Sequence, residues 1–196
     1  MRKEQIKKLV VMAMLVALSV VLIAFIHVPL IPIVSFLEYD PADIPILIGA
    51  MAYGPVAGLV LTVVAAVIQG TFISTTGPWG ILMHIIATGA MTLVASTIYK
   101  YRRTRVGAVI GLVCGTLARG LVMVPANHFI TPIWMGAPTA VVDEVMLVGI
   151  LPFNLLVGAI NSAVTFLVYK PVSRFIIHGE SISVNRVDAE KEPQQR

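Results

Sequence analysis

The sequence has little charge for its length. Of its 196 residues, only 12% are Asp, Glu, Lys or Arg, whereas 58% are hydrophobic. Soluble globular domains carry about 25% charged and about 45–50% apolar residues. A water-facing domain of this size keeps much of its surface wet and cannot bury so much apolar surface. The composition therefore excludes an ordinary soluble domain and indicates a chain that lies in a lipid bilayer.

Cysteine and the motifs of common enzymes are also missing. The single cysteine, Cys114, cannot form a disulfide within the chain. There is no Gly-Lys-Ser/Thr phosphate loop, no GxGxxG and no HExxH. We therefore expect neither ATP hydrolysis by this chain nor a metal or other catalytic cofactor. The net charge of +4 comes from basic residues at the ends of apolar runs, so no nucleic-acid partner is expected.

Six apolar segments are present, and five of them approach the 20 or so helical residues that a bilayer crossing needs. The long segments are residues 9–28, 56–73, 79–99, 106–124 and 145–169, and the short one is 43–53. We predict an all-α integral membrane protein with six transmembrane helices, in one domain over residues 1–178. Residues 125–144 are predicted to form a long loop. The polar residues 179–196 are predicted to form a disordered cytoplasmic tail.

Basic residues are absent from every second connection between the predicted helices. They cluster in residues 2–8, 100–105 and 170–174, and six helices place all three clusters on one side of the membrane. The positive-inside rule assigns that side to the cytoplasm. Both termini are therefore predicted to be cytoplasmic, whereas a five-helix arrangement would split the clusters.

Four polar side chains lie toward the outer ends of the predicted spans: Gln69, His84, Asn127 and Asn154. Polar groups are costly in hydrocarbon and usually face protein or water. Hydrogen bonding between helices explains each of them alone. Four at one face of the membrane equally indicate a pocket for a small molecule, since amides satisfy both donors and acceptors of a neutral heterocycle.

Arg119 is the most costly polar residue inside a predicted span. We favour a buried ion pair with Asp43 or Glu144 that fixes helix packing over a contact to an anion or ligand. The tryptophans Trp79 and Trp134 fit two interpretations equally well, an anchor at the membrane interface and a ligand contact.

Four stretches resemble a known family. They are LEYDPADIP at residues 37–45, YGPVAG at 53–58, NHFITPIWMG at 127–136 and PFNLLVG at 152–158. Together they resemble the substrate-binding subunits (S components) of energy-coupling factor (ECF) vitamin transporters. The stretch at 127–136 looks like the family's loop after the fifth helix, and the two asparagine motifs are similar to those of riboflavin-specific members. The resemblance covers nearly the whole chain except the tail.

The resemblance implies a high-affinity riboflavin-binding subunit of an ATP-driven importer in a bacterial cell membrane. Its pocket would lie at the extracellular side, and riboflavin would be the transported ligand, not a catalytic cofactor. A transmembrane coupling protein and two ATPase subunits would be its partners. Ala13 and Ala17 match the small-residue face with which the family's first helix contacts the coupling protein.

Nine residues are predicted to bind the ligand. In riboflavin-binding relatives, asparagines matching Asn127 and Asn154 hold the flavin ring, and the first outer loop and the fourth helix complete the pocket. A flavin ring is flat and apolar on its faces, so we expect aromatic and thioether side chains against it. The predicted site comprises Leu37, Glu38, Tyr39, Asp40, Trp79, Met83, His84, Asn127 and Asn154.

Val157 departs from the family pattern, because the riboflavin-binding relatives carry a lysine there. One ring contact is then missing or replaced, which leaves another vitamin or a flavin nucleotide (FMN) as alternative ligands. A nucleotide would need cationic groups near the pocket, and the predicted outer face offers only Arg119. The remaining alternative is a membrane-embedded enzyme, for which Asp43 with Asp143 is the only candidate catalytic pair.

Overall fold

The computed structural model describes residues 2–26, 28–73 and 76–177, with side chains for 3–26, 28–73 and 76–169. The predicted tail at 179–196 lies outside the described residues. Each of the six predicted apolar segments coincides with a helix. The α-helices of the described residues are α1 Arg2–Phe25, α2 Asp43–Tyr53, α3 Pro55–Phe72, α4 Gly77–Tyr101, α5 Arg105–Met135, α6 Thr139–Glu144 and α7 Leu151–Ile177.

Five helical segments of the described chain are long and apolar enough to cross a membrane. They are Lys3–Phe25, Pro55–Phe72, Gly77–Tyr101, Arg105–Met135 and Met146–Tyr169. Large apolar side chains such as Met14, Leu121 and Leu167 are exposed along them, as expected of surfaces that face lipid. The protein is therefore a mostly helical membrane protein, and α2, with 11 residues, is its short additional helix.

α2 is enclosed by other helices. Its residues Ile46, Leu47 and Ala50 are fully buried, and it contacts α1, α3, α4 and α7. Gly54, with a φ of 93°, ends the helix, and Pro55 begins α3 at once. Glycine adopts positive φ without penalty, and proline is well suited to the first position of a helix. The Gly-Pro pair thus interrupts the apolar sequence between two helices.

α4 and α5 approach each other closely at two glycines of α5. A Cβ atom at Gly111 would lie 2.7 Å from the carbonyl oxygen of Ala95, and one at Gly115 would lie 2.7 Å from that of Met91. Small residues at such contacts let membrane helices pack backbone to backbone. Arg119 follows four residues later on the same face of α5, so this packing directs its side chain toward α4.

The predicted loop over residues 125–144 is wrong. Residues up to Met135 continue α5, with Pro125 and Pro132 inside the helix, and α6 covers much of the remainder. A proline inside a helix usually breaks it, which is why the sequence predicted a loop. Membrane helices tolerate proline because neighbouring groups satisfy the freed backbone. The helix instead ends at Gly136, whose φ of 64° is left-handed.

The connection between α1 and α2 folds over one end of the bundle. Its strands β1 (Val28–Pro29) and β2 (Glu38–Tyr39) pair antiparallel. Between them, Val34 is fully buried in a cluster that includes Val142 and Ile150. Burial of apolar side chains from both sides of this contact anchors the loop to the chain that enters α7. A five-residue π-helical turn leads directly into α7 there.

Candidate ligand-binding cavity

A cavity of about 560 Å³ lies beneath the connection between α1 and α2 (the α1–α2 loop), between α3, α4, α5 and α7. Ligand pockets typically have about 300–1,000 Å³, and they are mostly apolar with a few placed polar groups. This cavity has that character. Its lining includes aromatic side chains, the carboxamides of Asn127 and Asn154 (the carboxamide part) and the side chains of Asp40, His84 and Arg119 (the charged part).

Four aromatic side chains line the cavity, Phe36, Trp79, Trp134 and Phe153, and the thioether of Met83 also lines it. The rings of Phe36 and Trp134 contact each other at a centroid distance of 6.2 Å and a tilt of 44°. Such side chains offer large, stiff apolar faces, and methionine adapts to their gaps. A flat aromatic ligand would find matching surfaces here.

Asp40 lies at the charged part of the wall and is 8% exposed. Its Oδ1 accepts the backbone N–H of Ala42 at 2.8 Å, and its Oδ2 accepts from Nε2 of Gln69 at 3.0 Å. Nδ1 of His84 lies 3.1 Å from the same Oδ2. Burial opposes ionisation, but the hydrogen bond and charge of His84 and the two other hydrogen bonds outweigh it and lower the pKa of Asp40. The carboxylate is therefore held ionised.

Asp43, the first residue of α2, is completely buried. Its Oδ1 accepts from the hydroxyl of Thr88 at 2.6 Å. Its Oδ2 accepts from Nδ2 of Asn161 at 3.1 Å and forms an ion pair with Nη1 of Arg119. A buried charge is tolerated when it is paired and hydrogen-bonded. Asp43 thereby ties α2 to α4, α5 and α7.

Asn161 of α7 holds the α1–α2 loop in place. Its fully buried amide accepts the hydroxyl of Tyr39 at 2.8 Å and donates to the backbone carbonyl of Asp40 at 2.8 Å. Burial and the charges of Asp43 and Asp40 raise the pKa of Tyr39, so its hydroxyl stays protonated and donates. The segment that carries β2 is thus fixed to the last long helix.

Two asparagines at the cavity are each oriented by their own helix. Nδ2 of Asn127 donates to the carbonyl of Met123 at 2.8 Å, and its Oδ1 accepts from the hydroxyl of Thr131. Nδ2 of Asn154 donates to the carbonyl of Ile150 at 2.9 Å. A carboxamide has two N–H donors and an oxygen with two lone pairs. These bonds therefore fix the amides and leave part of their capacity for a ligand.

The sequence from residue 7 to residue 169 matches the family described as the substrate-specific component of ECF transporters. The match covers most of the chain. The chain belongs to the ECF transporter S components. It is accordingly a subunit of a transporter and not an enzyme.

This S component is similar over nearly its whole length to known riboflavin transporters. It is 30% identical to the riboflavin transporter RibU of Staphylococcus aureus (strain TCH60) over 179 residues, which cover 88% of this chain and 94% of the relative. It is 28% identical to the riboflavin transporter FmnP of Bacillus subtilis (strain 168) over 192 residues, 92% of this chain and all of the relative.

A solved structure supports the same relationship. The S component of a bacterial ECF transporter superimposes with a TM-score of 0.77 at 30% sequence identity, over 88% of this chain and 98% of the other. The fold described above is therefore the fold of a known S component.

The predicted ligand residues come together in this S component. All nine line the same cavity, contributed by the α1–α2 loop, α4, α5 and α7, although they span more than half of the chain. The nine are Leu37, Glu38, Tyr39, Asp40, Trp79, Met83, His84, Asn127 and Asn154. Gln69 and Trp134 line the same cavity. The contact of these residues with a ligand stays a prediction.

Ala13 and Ala17 lie on the outward face of α1. Both are exposed, whereas Val11, Leu15 and Ser19 of the same helix are buried against the bundle. The two alanines are one turn apart and leave a shallow surface that another helix can approach closely.

The predicted ion pair of Arg119 is confirmed with Asp43, not with Glu144. Arg119 also lines the cavity, so the two interpretations of this residue are compatible. The candidate catalytic pair is not assembled, because Asp43 is buried whereas the side chain of Asp143 is 45% exposed and pairs with His128 at 2.7 Å. Within the described residues, no group of three His, Cys, Asp or Glu side chains is placed to hold a metal ion.

Val157, where the family resemblance led us to expect a lysine, does not line the cavity. It lies three residues after Asn154 and is fully buried in the apolar cluster of Val34 that anchors the α1–α2 loop.

Asn161 was not among the predicted site residues, although it holds the loop over the cavity from outside the cavity lining. The sequence contained a signal for it. Asn161 is a carboxamide inside a predicted span, and it follows Asn154 by seven residues, or two helical turns, on the same face of α7. The cost of such a group in hydrocarbon is reason enough to look for its partner.

Proposed function

We propose that this S component binds riboflavin with high affinity at the extracellular face of a bacterial cell membrane and hands it to an ATP-driven importer. The observation that carries the proposal is the cavity, in which stiff apolar rings stand beside oriented carboxamides. The full-length similarity to two riboflavin transporters supports it.

A flavin matches the chemistry of this cavity. Its ring system is flat and apolar on both faces and would contact Trp79, Trp134 and Met83. Its pyrimidine edge alternates donors and acceptors, which the amides of Asn127 and Asn154 can match because each amide carries both kinds of group. We therefore assign the ring edge to the two asparagines and the ring faces to the aromatic wall.

The orientation that we propose follows from charge. With α2 counted as a sixth transmembrane helix, residues 2–8, 100–105 and 170–174 all lie at one side of the domain formed by residues 1–178. The positive-inside rule makes that side cytoplasmic, together with both termini. The first outer loop and the cavity beneath it then face the extracellular side, where a nutrient is captured.

Transport needs partners, because the chain has no motif for ATP hydrolysis. A transmembrane coupling protein and two ATPase subunits would supply the energy. We assign the contact with the coupling protein to the face of α1 that carries Ala13 and Ala17, since both are exposed and their small size permits close helix packing.

FMN is the main alternative ligand, and the charges at the cavity disfavour it. A phosphate group is usually recognised by unpaired cations or helix N-termini. The guanidinium of Arg119 is already paired with Asp43, and Asp40 adds a further negative charge. The same geometry favours an uncharged vitamin over a phosphorylated one.

A titration of the detergent-purified protein with riboflavin and with FMN tests the proposal. We expect quenching of riboflavin fluorescence that saturates at one ligand per protein, and weaker binding of FMN by at least about tenfold, or about 1.4 kcal/mol. Tighter binding of FMN would transfer the assignment to the nucleotide. Saturable binding of neither flavin would overturn the proposed function.

The assignment of α1 has its own test and a matched control within the chain. Ala13→Leu with Ala17→Leu should abolish co-purification with the coupling protein and leave riboflavin binding intact, because leucines hold the helices apart. Ala159 and Ala163 are also exposed and also lie four residues apart, but on α7. Their double leucine variant should assemble normally, and equal loss in both variants would contradict the assignment to α1.

A further inference from the structure

We propose that α1 links the cavity to the binding of the coupling protein, and that Ser19 is the positioning residue on which this link depends. The inference rests on the proposed function, because it takes the face of α1 that carries Ala13 and Ala17 as the docking face. It predicts that a filled cavity raises the affinity for the coupling protein.

The buried face of α1 reaches the cavity. The buried residues of this helix, among those described, recur at every fourth position and share one face; they are Val11, Leu15, Ser19 and Ile23. Ile23 also lines the cavity. Ala13 and Ala17 are each two residues from Leu15, or about 200° around the helix, which places them on the opposite side. One helix therefore joins the ligand site to the docking face.

α1 is also the span that is least embedded in the bundle. Of the 18 residues in its most apolar stretch, 22% are buried, whereas 39–44% are buried in the other four membrane-spanning segments. Its contacts are mainly with α2 and α3. Elements with few buried contacts move at the lowest cost in free energy, so α1 is the span best able to shift against the cavity.

Ser19 connects α1 to the charged part of the cavity through one peptide unit. Its fully buried hydroxyl donates to the carbonyl of Ala42 at 2.9 Å, just before α2 begins. The N–H of the same Ala42 donates to Oδ1 of Asp40 at 2.8 Å, and Asp40 lines the cavity. Ala42 is therefore held from one side by α1 and from the other by the cavity lining.

The contact between Ser19 and Ala42 can open without leaving a buried polar group unpaired. The hydroxyl has one proton to donate, and the carbonyl of Leu15, on the same helix, lies 3.0 Å away as a second acceptor. Ala42 is the N-cap of α2, where a carbonyl already accepts the first bond of the helix. Since the penalty for an unpaired polar group is avoided, two positions of α1 can be close in free energy.

A ligand shifts such an equilibrium only through contacts that differ between the two positions. A ligand that fills the cavity contacts Ile23 and the charged part of the lining, and both are in place when Ser19 bonds to Ala42. The filled cavity therefore favours this position, and we assign the binding of the coupling protein to the same position. Linkage then requires that riboflavin and the coupling protein raise each other's affinity by the same factor, typically about 5-fold to 150-fold.

The test measures the Kd between the full-length protein and the coupling protein with its ATPase subunits, in detergent, with and without saturating riboflavin. We expect the wild type to bind at least about fivefold more tightly with riboflavin. Ser19→Ala should reduce this ratio to less than about twofold, because α1 and the cavity lining then move independently. Ser19→Thr keeps the hydroxyl and should keep the ratio.

Ser96→Ala is the matched control. Ser96 is also buried, but its hydroxyl bonds to the carbonyl of Thr92 on its own helix. A variant that merely destabilises the protein weakens assembly with and without riboflavin and leaves the ratio unchanged, so the ratio separates positioning from stability. An equal fall of the ratio in Ser96→Ala and Ser19→Ala would overturn the inference.

The wild-type protein provides a second measurement that needs no variant. Its Kd for riboflavin should fall by the same factor when the coupling protein is in excess. A ratio below about twofold in the wild type, or an undiminished ratio in Ser19→Ala, overturns the inference, and riboflavin binding by the isolated protein then leaves the proposed function standing. If the isolated protein binds neither flavin, the proposed function fails and the inference fails with it.

Discussion

The carboxamide part of the cavity and its charged part differ in what holds their side chains. Asn127 and Asn154 donate to carbonyls one turn back on their own helices. In the charged part, Arg119 is paired with Asp43. Asp43 does not line the cavity and is held by side chains from three other helices, through Thr88, Arg119 and Asn161. One part of the wall is organised locally and the other only by the assembled bundle.

This difference separates two kinds of consequence. A carboxamide that depends on its own helix can be removed while the fold is kept, so its loss should appear mainly in ligand binding. A buried carboxylate that bonds to several helices cannot lose its counterion without a large cost, because an unpaired buried charge destabilises the whole bundle. Substitutions in the two parts should therefore affect different measurements.

The largest effect is expected for Arg119→Leu. It leaves the charge of Asp43 buried without a counterion, which should lower the free energy of unfolding by about 3–5 kcal/mol. Equilibrium unfolding of the purified protein without ligand measures it. Adding Asp43→Asn should recover most of the loss, since the remaining amide is neutral and can still bond to Thr88. A double variant as unstable as the single one would show that the charge is not the cause.

The next largest effect is expected for Asn154→Ala, and it should appear in binding. We expect riboflavin binding to weaken by about 1–3 kcal/mol, because the ring edge loses a buried partner. The free energy of unfolding should change less. Ser162→Ala on the same helix is the control, because Ser162 bonds to Thr116 outside the cavity lining. Unchanged riboflavin affinity of Asn154→Ala in an equilibrium titration would remove this residue from the site.

Tyr39→Phe should have a smaller effect. It should weaken the attachment of the loop to α7 by about 0.5–1.5 kcal/mol, because it removes one neutral hydrogen bond, to Asn161. Since that bond fastens the loop over the cavity, we expect riboflavin to dissociate faster in a stopped-flow experiment. Tyr101→Phe is the control, because Tyr101 is 82% exposed. Equal dissociation rates in the wild type and Tyr39→Phe would mean that the loop does not retain the ligand through this bond.

The smallest effect is expected for His128→Ala, which removes the ion pair with Asp143. Both side chains are nearly half exposed, at 40% and 45%. Exposed pairs of this kind contribute about 0–1 kcal/mol to stability, so the free energy of unfolding should fall by no more than that. A loss comparable to that of Arg119→Leu would contradict the view that burial, not the presence of a salt bridge, makes the charged part of the cavity essential to the fold.

Much of this protein was predictable from its sequence because the constraint is local. An apolar run of sufficient length forms a helix in a bilayer, since no other open structure satisfies its backbone there. Composition and run length therefore located every long helix. The end of α5 was not predictable in this way, because Pro125 normally stops a helix in water and its surroundings within the bundle decide otherwise.

The candidate site, too, was predictable from the sequence only in part. Polar residues within spans, such as Asn127 and Asn154, are conspicuous in a sequence, and the family resemblance supplied the rest of the predicted site. Which of them contact each other could not be named, because these contacts join residues as distant as Asp43 and Arg119 or Tyr39 and Asn161. Packing between helices, of which the close approach of α4 and α5 at Gly111 and Gly115 is one example, brings such residues together, and only the tertiary structure decides it. The sequence by itself determined that the chain folds in a lipid bilayer, and it determined the residue types at the polar positions. The packing of the helices decided which polar atoms are satisfied and which remain free to meet a ligand.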